Sequence, residues 1–164
     1  MKTKHFRYHK IFESQPLKGW LFKLWNWWPP FLGAGIRIEQ VDPQFRSLTV
    51  RLKLRFWNRN YVGTQFGGSM FAMTDPFMMV LLIQNLGSDY IVWDKAASIR
   101  YLKPGKTDVT ARFEINDQIL EQIRTELTHK EKMDWHTQIQ VIDVQQQVIA
   151  EVDKTIYIRK KSKP

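Results

Sequence analysis

The chain has 164 residues, of which 43% are hydrophobic and 25% charged, with a formal net charge of +9. That composition supplies a core for one domain and excludes a chain disordered throughout. With no cysteine, disulfides and thiolate chemistry are excluded as well.

The four histidines, His5, His9, His129 and His136, lack the spacing of a ligand set, so neither a metal nor another cofactor is expected. The longest apolar run, Phe77 to Ile83, is far shorter than the roughly 20 residues that span a bilayer. Lys18 and Lys23 interrupt the apolar N-terminal stretch, which therefore does not match a signal peptide, and a cytoplasmic address is expected. The positive charge favours an anionic partner. Without the four cations of the ending "RKKSKP" it is only +5. No aromatic and basic recognition motif accompanies it, so nucleic acid is not the expected partner.

Along the chain the sequence divides into an N-terminal helical appendage (1–30), one domain (31–160) and a basic tail (161–164). In the appendage, Trp20, Leu21, Leu24, Trp25 and Trp28 recur at helical spacing between Gln15 and Trp28, before "PP" stops the helix. Such a helix packs on the domain or a subunit interface, or lies on a membrane surface, which Trp with Lys suits.

The segment "GAGIRIEQVD" predicts a first strand, with "DPQ" as the turn after it. In "RSLTVRLKLRF", Leu48, Val50, Leu52, Leu54 and Phe56 alternate with polar residues, which predicts a second strand with one wet face. After the loop "WNRNYVG", Gly67 and Gly68 lead into Ser69 to Leu86, an apolar helix without a polar face that must be enclosed. Four more strands follow, in "YIVWDKAASIRYL", "KTDVTARFEI", "MDWHTQIQVID" and "QVIAEVDKTIYIR". Between the second and third of these, "NDQILEQIRTELTHK" predicts a surface helix capped by Asn116 or Asp117. One long antiparallel sheet wrapped around a central helix, an α+β fold, accommodates this order.

The chemistry concentrates in "YVGTQFGGSMFAMTDPFMMVLL". Asp75 is an acid in an apolar helix, which implies a partner, a raised pKa or exposure at a cleft. Pro76 cannot donate to the carbonyl of Ala72, so a kink is expected there. Gly67 and Gly68 allow close approach at a helix start whose free N–H groups can polarise a carbonyl. Asp75 lies seven residues beyond Gly68, roughly 10 Å of helical rise, too far for both to touch one small reacting centre. An antiparallel partner helix would bring the acid of one subunit beside the glycines of the other.

The run "NYVGTQFGGSMFAMTDP" resembles the hotdog-fold acyl-CoA thioesterases of the "HGG" type, in which Asn, Gly and His-Gly-Gly precede an acid in the central helix. The stretch "DKAASIRYLKPG" is similar to the branch known as an uncharacterised domain family, DUF4442, of tetrameric hotdog thioesterases. The likeness spans about residues 30 to 160. It implies a homodimer or a dimer of dimers that hydrolyses acyl-CoA. It further implies that the Gly67 amide polarises the thioester carbonyl and that Asp75 of the partner subunit acts as nucleophile or as base for water. Asn60 and Gly63 match the family's asparagine and first glycine, and Asn60 either bonds Asp75 or the water, or caps its own loop. Phe66 replaces the family's histidine, beside Gly68. Asp94 stands where several thioesterases carry Ser or Thr near the attacking water; otherwise it is a solvated strand-edge residue. Arg59, Arg100, Lys103 and Lys106 are candidate contacts for the CoA phosphates, or surface cations. Met70, Met73, Met78 and Met79 line an acyl channel or belong to the core.

Overall fold

The computed structural model describes residues 22–161. Most of the expected N-terminal helix, including Trp20 and Leu21, lies outside the described residues. From Lys23 to Trp27 the chain forms a 3-10 turn, and helix α1 then runs Pro29–Ala34. The two prolines therefore open a helix as well as ending the turn before it. Proline suits the first helical position because the N–H it lacks has no intrahelical partner there. Gly35 closes α1 at φ 83, where a β-carbon would also collide with the Asn58 side chain. Gly33 and Ala34, expected to begin the first strand, are thus helical.

The strands are β1 (Ile36–Val41), β2 (Ser47–Leu52), β3 (Tyr90–Tyr101), β4 (Val109–Glu114), β5 (Lys132–Asp143) and β6 (Val148–Lys160). They form one sheet in the order β1-β2-β4-β5-β6-β3, antiparallel throughout. In β2, Leu48, Val50 and Leu52 are buried, as the alternation requires. The strand stops short of Leu54 and Phe56, and Phe56 is 79% exposed. Side chains capture the backbone here. Asn58 Nδ2 donates to the Lys53 carbonyl at 2.7 Å, and the Leu54 amide donates to Asp108 Oδ1 at 2.9 Å.

The expected apolar helix is broken in two. Helix α2 runs Gly67–Ala72 and α3 runs Phe77–Leu86, with Met73 to Pro76 as a turn between them and a cis peptide bond at Asp75-Pro76. Helical bonding tightens before the proline. The amides of Thr74 and Asp75 donate three residues back, to Phe71 at 3.0 Å and Ala72 at 3.2 Å, and bonding resumes from Val80 to the Pro76 carbonyl. Asp75 therefore stands on a turn rather than within a helix.

Helix α3 is enclosed, with Phe77, Leu81 and Leu82 fully buried. Phe77 is its aromatic anchor, with ring centroids 5.4 Å from Phe113, 5.7 Å from Phe31 and 6.2 Å from Phe22. The N-terminal segment thus packs into the core through Phe22 and Phe31. The surface helix α4 (Asp117–His129) begins where expected: Asn116 Oδ1 accepts from the Ile119 amide at 2.8 Å, and Leu120, Ile123 and Leu127 face inward. No helix among the described residues is long and apolar enough to cross a membrane.

Candidate active site

The inward rows of β3 and β6 decide what surrounds Asp75. Along β6, Val152, Lys154, Ile156 and Ile158 are all buried on the helix side. Lys154 is thus a cation in an apolar row, and only 3% of it is exposed. On β3, Asp94 pairs with Ile156, and Ala97 pairs with Lys154 after a bulge between Asp94 and Ala96. A bulge adds one residue to one strand, so Asp94 and Ala97 both reach the inner face.

Lys154 Nζ lies 3.1 Å from Asp94 Oδ2 and 3.2 Å from Asp75 Oδ1, and 3.5 Å from the Thr74 carbonyl. The two acids differ in setting. Asp75 is 65% exposed at its side chain, whereas Asp94 is 21% exposed. Among the described residues neither Asp94 oxygen has a well-aligned hydrogen bond, so its contact with Lys154 is charge attraction without a directed bond. Burial pushes the Asp94 carboxyl above the usual carboxylate range, Lys154 opposes that rise, and the neighbouring Asp75 adds to it.

At the other end of α2 the first bond of the turn runs from the Met70 amide to the Phe66 carbonyl at 3.1 Å. The amides of Gly67, Gly68 and Ser69 precede it and have no acceptor inside the helix. Side chains lie close over both glycines. A β-carbon at Gly67 would stand 2.9 Å from the Tyr101 hydroxyl, and one at Gly68 would stand 2.6 Å from the Phe66 ring. Phe66, in place of an imidazole, is therefore a half-exposed cover over Gly68.

Asn60 acts within its own loop. Its Oδ1 accepts from the amides of Val62 at 3.1 Å and Thr64 at 3.0 Å, and its Nδ2 donates to Thr64 Oγ1 and the Gln65 carbonyl. Gly63 completes that loop at φ 82. Of the candidate phosphate contacts, Arg100 pairs with Glu151 at 2.8 Å and Lys103 donates to Gln147 at 2.9 Å. Met70, Met73 and Met78 are buried in the core. A basic cavity of about 560 Å³, lined by Lys130, Lys132, Tyr157 and Arg159 among others, opens on the other face of the sheet, because Tyr157 and Arg159 alternate with the inward row of Lys154.

Sequence reasoning missed Lys154 and the position of Tyr101 over Gly67. The first was signalled by a lysine at an inward position of "VDKTIYI"; the second has no signal in the sequence.

A domain family of unknown function, DUF4442, matches residues 20–158. The chain belongs to that family. No curated protein matches the chain. Among solved structures, a Pseudomonas aeruginosa protein of unknown function, called a probable thioesterase, is similar at a TM-score of 0.78 and 21% identity, covering 90% of this chain and 99% of that one. A protein of unknown function from Chlorobaculum tepidum gives a TM-score of 0.67 at 17% identity, over 87% of this chain and 94% of that one. A thioesterase from Haemophilus influenzae gives 0.63 at 12% identity, over 91% and 95%. These likenesses show the fold of this DUF4442 chain, a hotdog.

Proposed function

We propose that this DUF4442 protein hydrolyses acyl-CoA thioesters to the free acid and CoA. The observation that carries this reading is Asp75: an acid anchored by a buried lysine on one oxygen while its side chain stays 65% exposed. A carboxylate so held can attack a thioester carbonyl or take a proton from water. The Gly67 amide, ahead of the hydrogen bonds of α2, polarises the carbonyl. Asn60 holds the loop that delivers the two glycines, and Gly63, Phe66, Gly68 and Asp94 surround the thioester. The thioesterase names of the Pseudomonas and Haemophilus proteins support the reaction class.

The site is shared between subunits. Helix α2, about 9 Å long at 1.5 Å per residue, separates Gly67 from Asp75. Among the described residues strand β3 ends the sheet, and its residues Lys95 to Ser98 are exposed. An unpaired edge of this length is a template for a second strand. Pairing of β3 with its copy in a homodimer brings the Asp75 turn of one subunit toward the Gly67 of the other, and two dimers form the tetramer. Arg100 and Lys103, near the end of β3, contact the CoA phosphates.

The test is release of free thiol across a series of acyl-CoA chain lengths by the wild type and Asp75→Asn. Thiol release by the wild type and its loss in the variant support the reading; equal rates would sink it. Phe66 in place of the imidazole favours a second reading, an acyl-thioester-binding protein without turnover. In that case acyl-CoA raises the melting temperature and no thiol appears.

A peripheral membrane contact goes with either reading. Leu24, Trp27 and Trp28 are exposed in the N-terminal segment. Sedimentation with anionic vesicles, lost on Trp27→Ala/Trp28→Ala, supports the contact, and sedimentation unchanged by the substitutions refutes it.

A further inference from the structure

A buried ammonium is tolerated only beside compensating charge and hydrogen-bond acceptors. Lys154 meets three oxygens from three places in the fold: Asp94 on β3, the Asp75 side chain, and the Thr74 carbonyl at the end of the α2 turn. Lys154 donates to the Thr74 carbonyl and to Asp75 Oδ1, and Asp94 faces it as a charge. Neighbouring charges point away. Lys95 is paired with Asp134, and His136 meets Thr155 Oγ1, both on the outer face of the sheet. Among the described residues the charged cluster is therefore Asp75, Asp94 and Lys154.

The geometry within it is unequal. Lys154 takes one oxygen of Asp75, Oδ1, which leaves Oδ2 for what lies outside. Asp94 is behind, its oxygens buried. We propose that Lys154 is the positioning residue of the site: it fixes Asp75 through Oδ1 so that Oδ2 meets the thioester, and Asp94 is the counter-charge that keeps Lys154 in the core. This inference rests on the reading of Asp75 as the reacting acid. Without Lys154, an exposed acid on a turn would sample several rotamers and face a second carboxylate with no cation between them.

Lys154→Met keeps the length of the side chain and removes its charge. The expected result is a fall in kcat of about tenfold or more with KM little changed, and an acid limb of the pH–rate profile displaced to higher pH. Asp94→Asn, which retains the Lys154–Asp75 pair, leaves that limb where it is or moves it to lower pH. If Lys154→Met does not fold, the double variant Asp94→Asn/Lys154→Met removes both buried charges, and its kcat is expected to stay low. A wild-type kcat and pH profile in Lys154→Met, or in the double variant, overturns the proposal.

A measurement without substrate separates this inference from the hydrolase reading. Carboxyl-carbon NMR should show Asp94 titrating at higher pH in Lys154→Met, or in Lys154→Gln if the methionine variant does not fold, than in the wild type. Unmoved titrations overturn the role of Lys154. A wild type that releases no thiol refutes the hydrolase reading alone.

Discussion

The Tyr101 hydroxyl lies over Gly67, so that a β-carbon at the glycine would stand 2.9 Å from it. Residues from two distant segments therefore meet at the amide proposed to bind the carbonyl oxygen. Tyr101 is 51% exposed, and its ring can swing outward at little cost to the fold.

Gly67→Ala is accordingly expected to fold normally. Gly67 does not have a positive φ, so alanine meets no backbone strain there and only the half-exposed tyrosine ring must move. Thiol release should fall, because the displaced ring and the new methyl group crowd the amide. Adding Tyr101→Ala should restore part of the lost rate, which kcat/KM for the two single variants and the double one would reveal. A double variant no faster than Gly67→Ala would show that the ring is not the obstacle.

Asp94 makes stability depend on pH in a direction opposite to that of an ordinary salt-bridged acid. Burial holds its carboxyl above the usual carboxylate range in the folded protein, so between the unfolded and folded titrations the folded state binds more protons than the unfolded one. Stability contributed by Asp94 is therefore lost as pH rises through that window. Melting curves of the wild type and Asp94→Asn across it should diverge, with the variant gaining relative to the wild type as pH increases. Parallel curves would contradict this setting for Asp94.

Phe77 anchors α3 against Phe22, Phe31 and Phe113 and is fully buried. Phe77→Ala is expected to cost about 3–5 kcal/mol in urea unfolding, since the cavity has rigid aromatic walls. A loss below about 1 kcal/mol would mean that the N-terminal segment collapses to fill the gap.

The outline of the fold was legible because its signals are local. The alternation of Leu48, Val50 and Leu52, the Asn116 cap and the Gly67-Gly68 pair at a helix start each lie where the pattern places them. The failures arise where a partner distant in sequence decides. Leu54 and Phe56 continue the alternation of β2, but Asn58 and Asp108 take the backbone out of the sheet. Asp75 was recognisable as an anomaly in an apolar run. Its partner was not: Lys154 is 79 residues away and meets it only because β6 and the α2–α3 turn face each other across the core. Asn60 shows the reverse. It matches the family's motif residue, and its hydrogen bonds hold its own loop.

A site made by two subunits is tested by subunit complementation. Asp75→Asn and Gly67→Val chains, each inactive alone, are co-expressed and the mixed dimers assayed for thiol release from acyl-CoA. A mixed dimer contains one pairing of an intact Asp75 with an intact Gly67 across the interface, so random assembly should recover about a quarter of wild-type activity. If both groups instead act within one chain, every site in the mixture lacks one of them. Activity no higher than that of the separate variants, in dimers shown to contain both chains, would contradict the account.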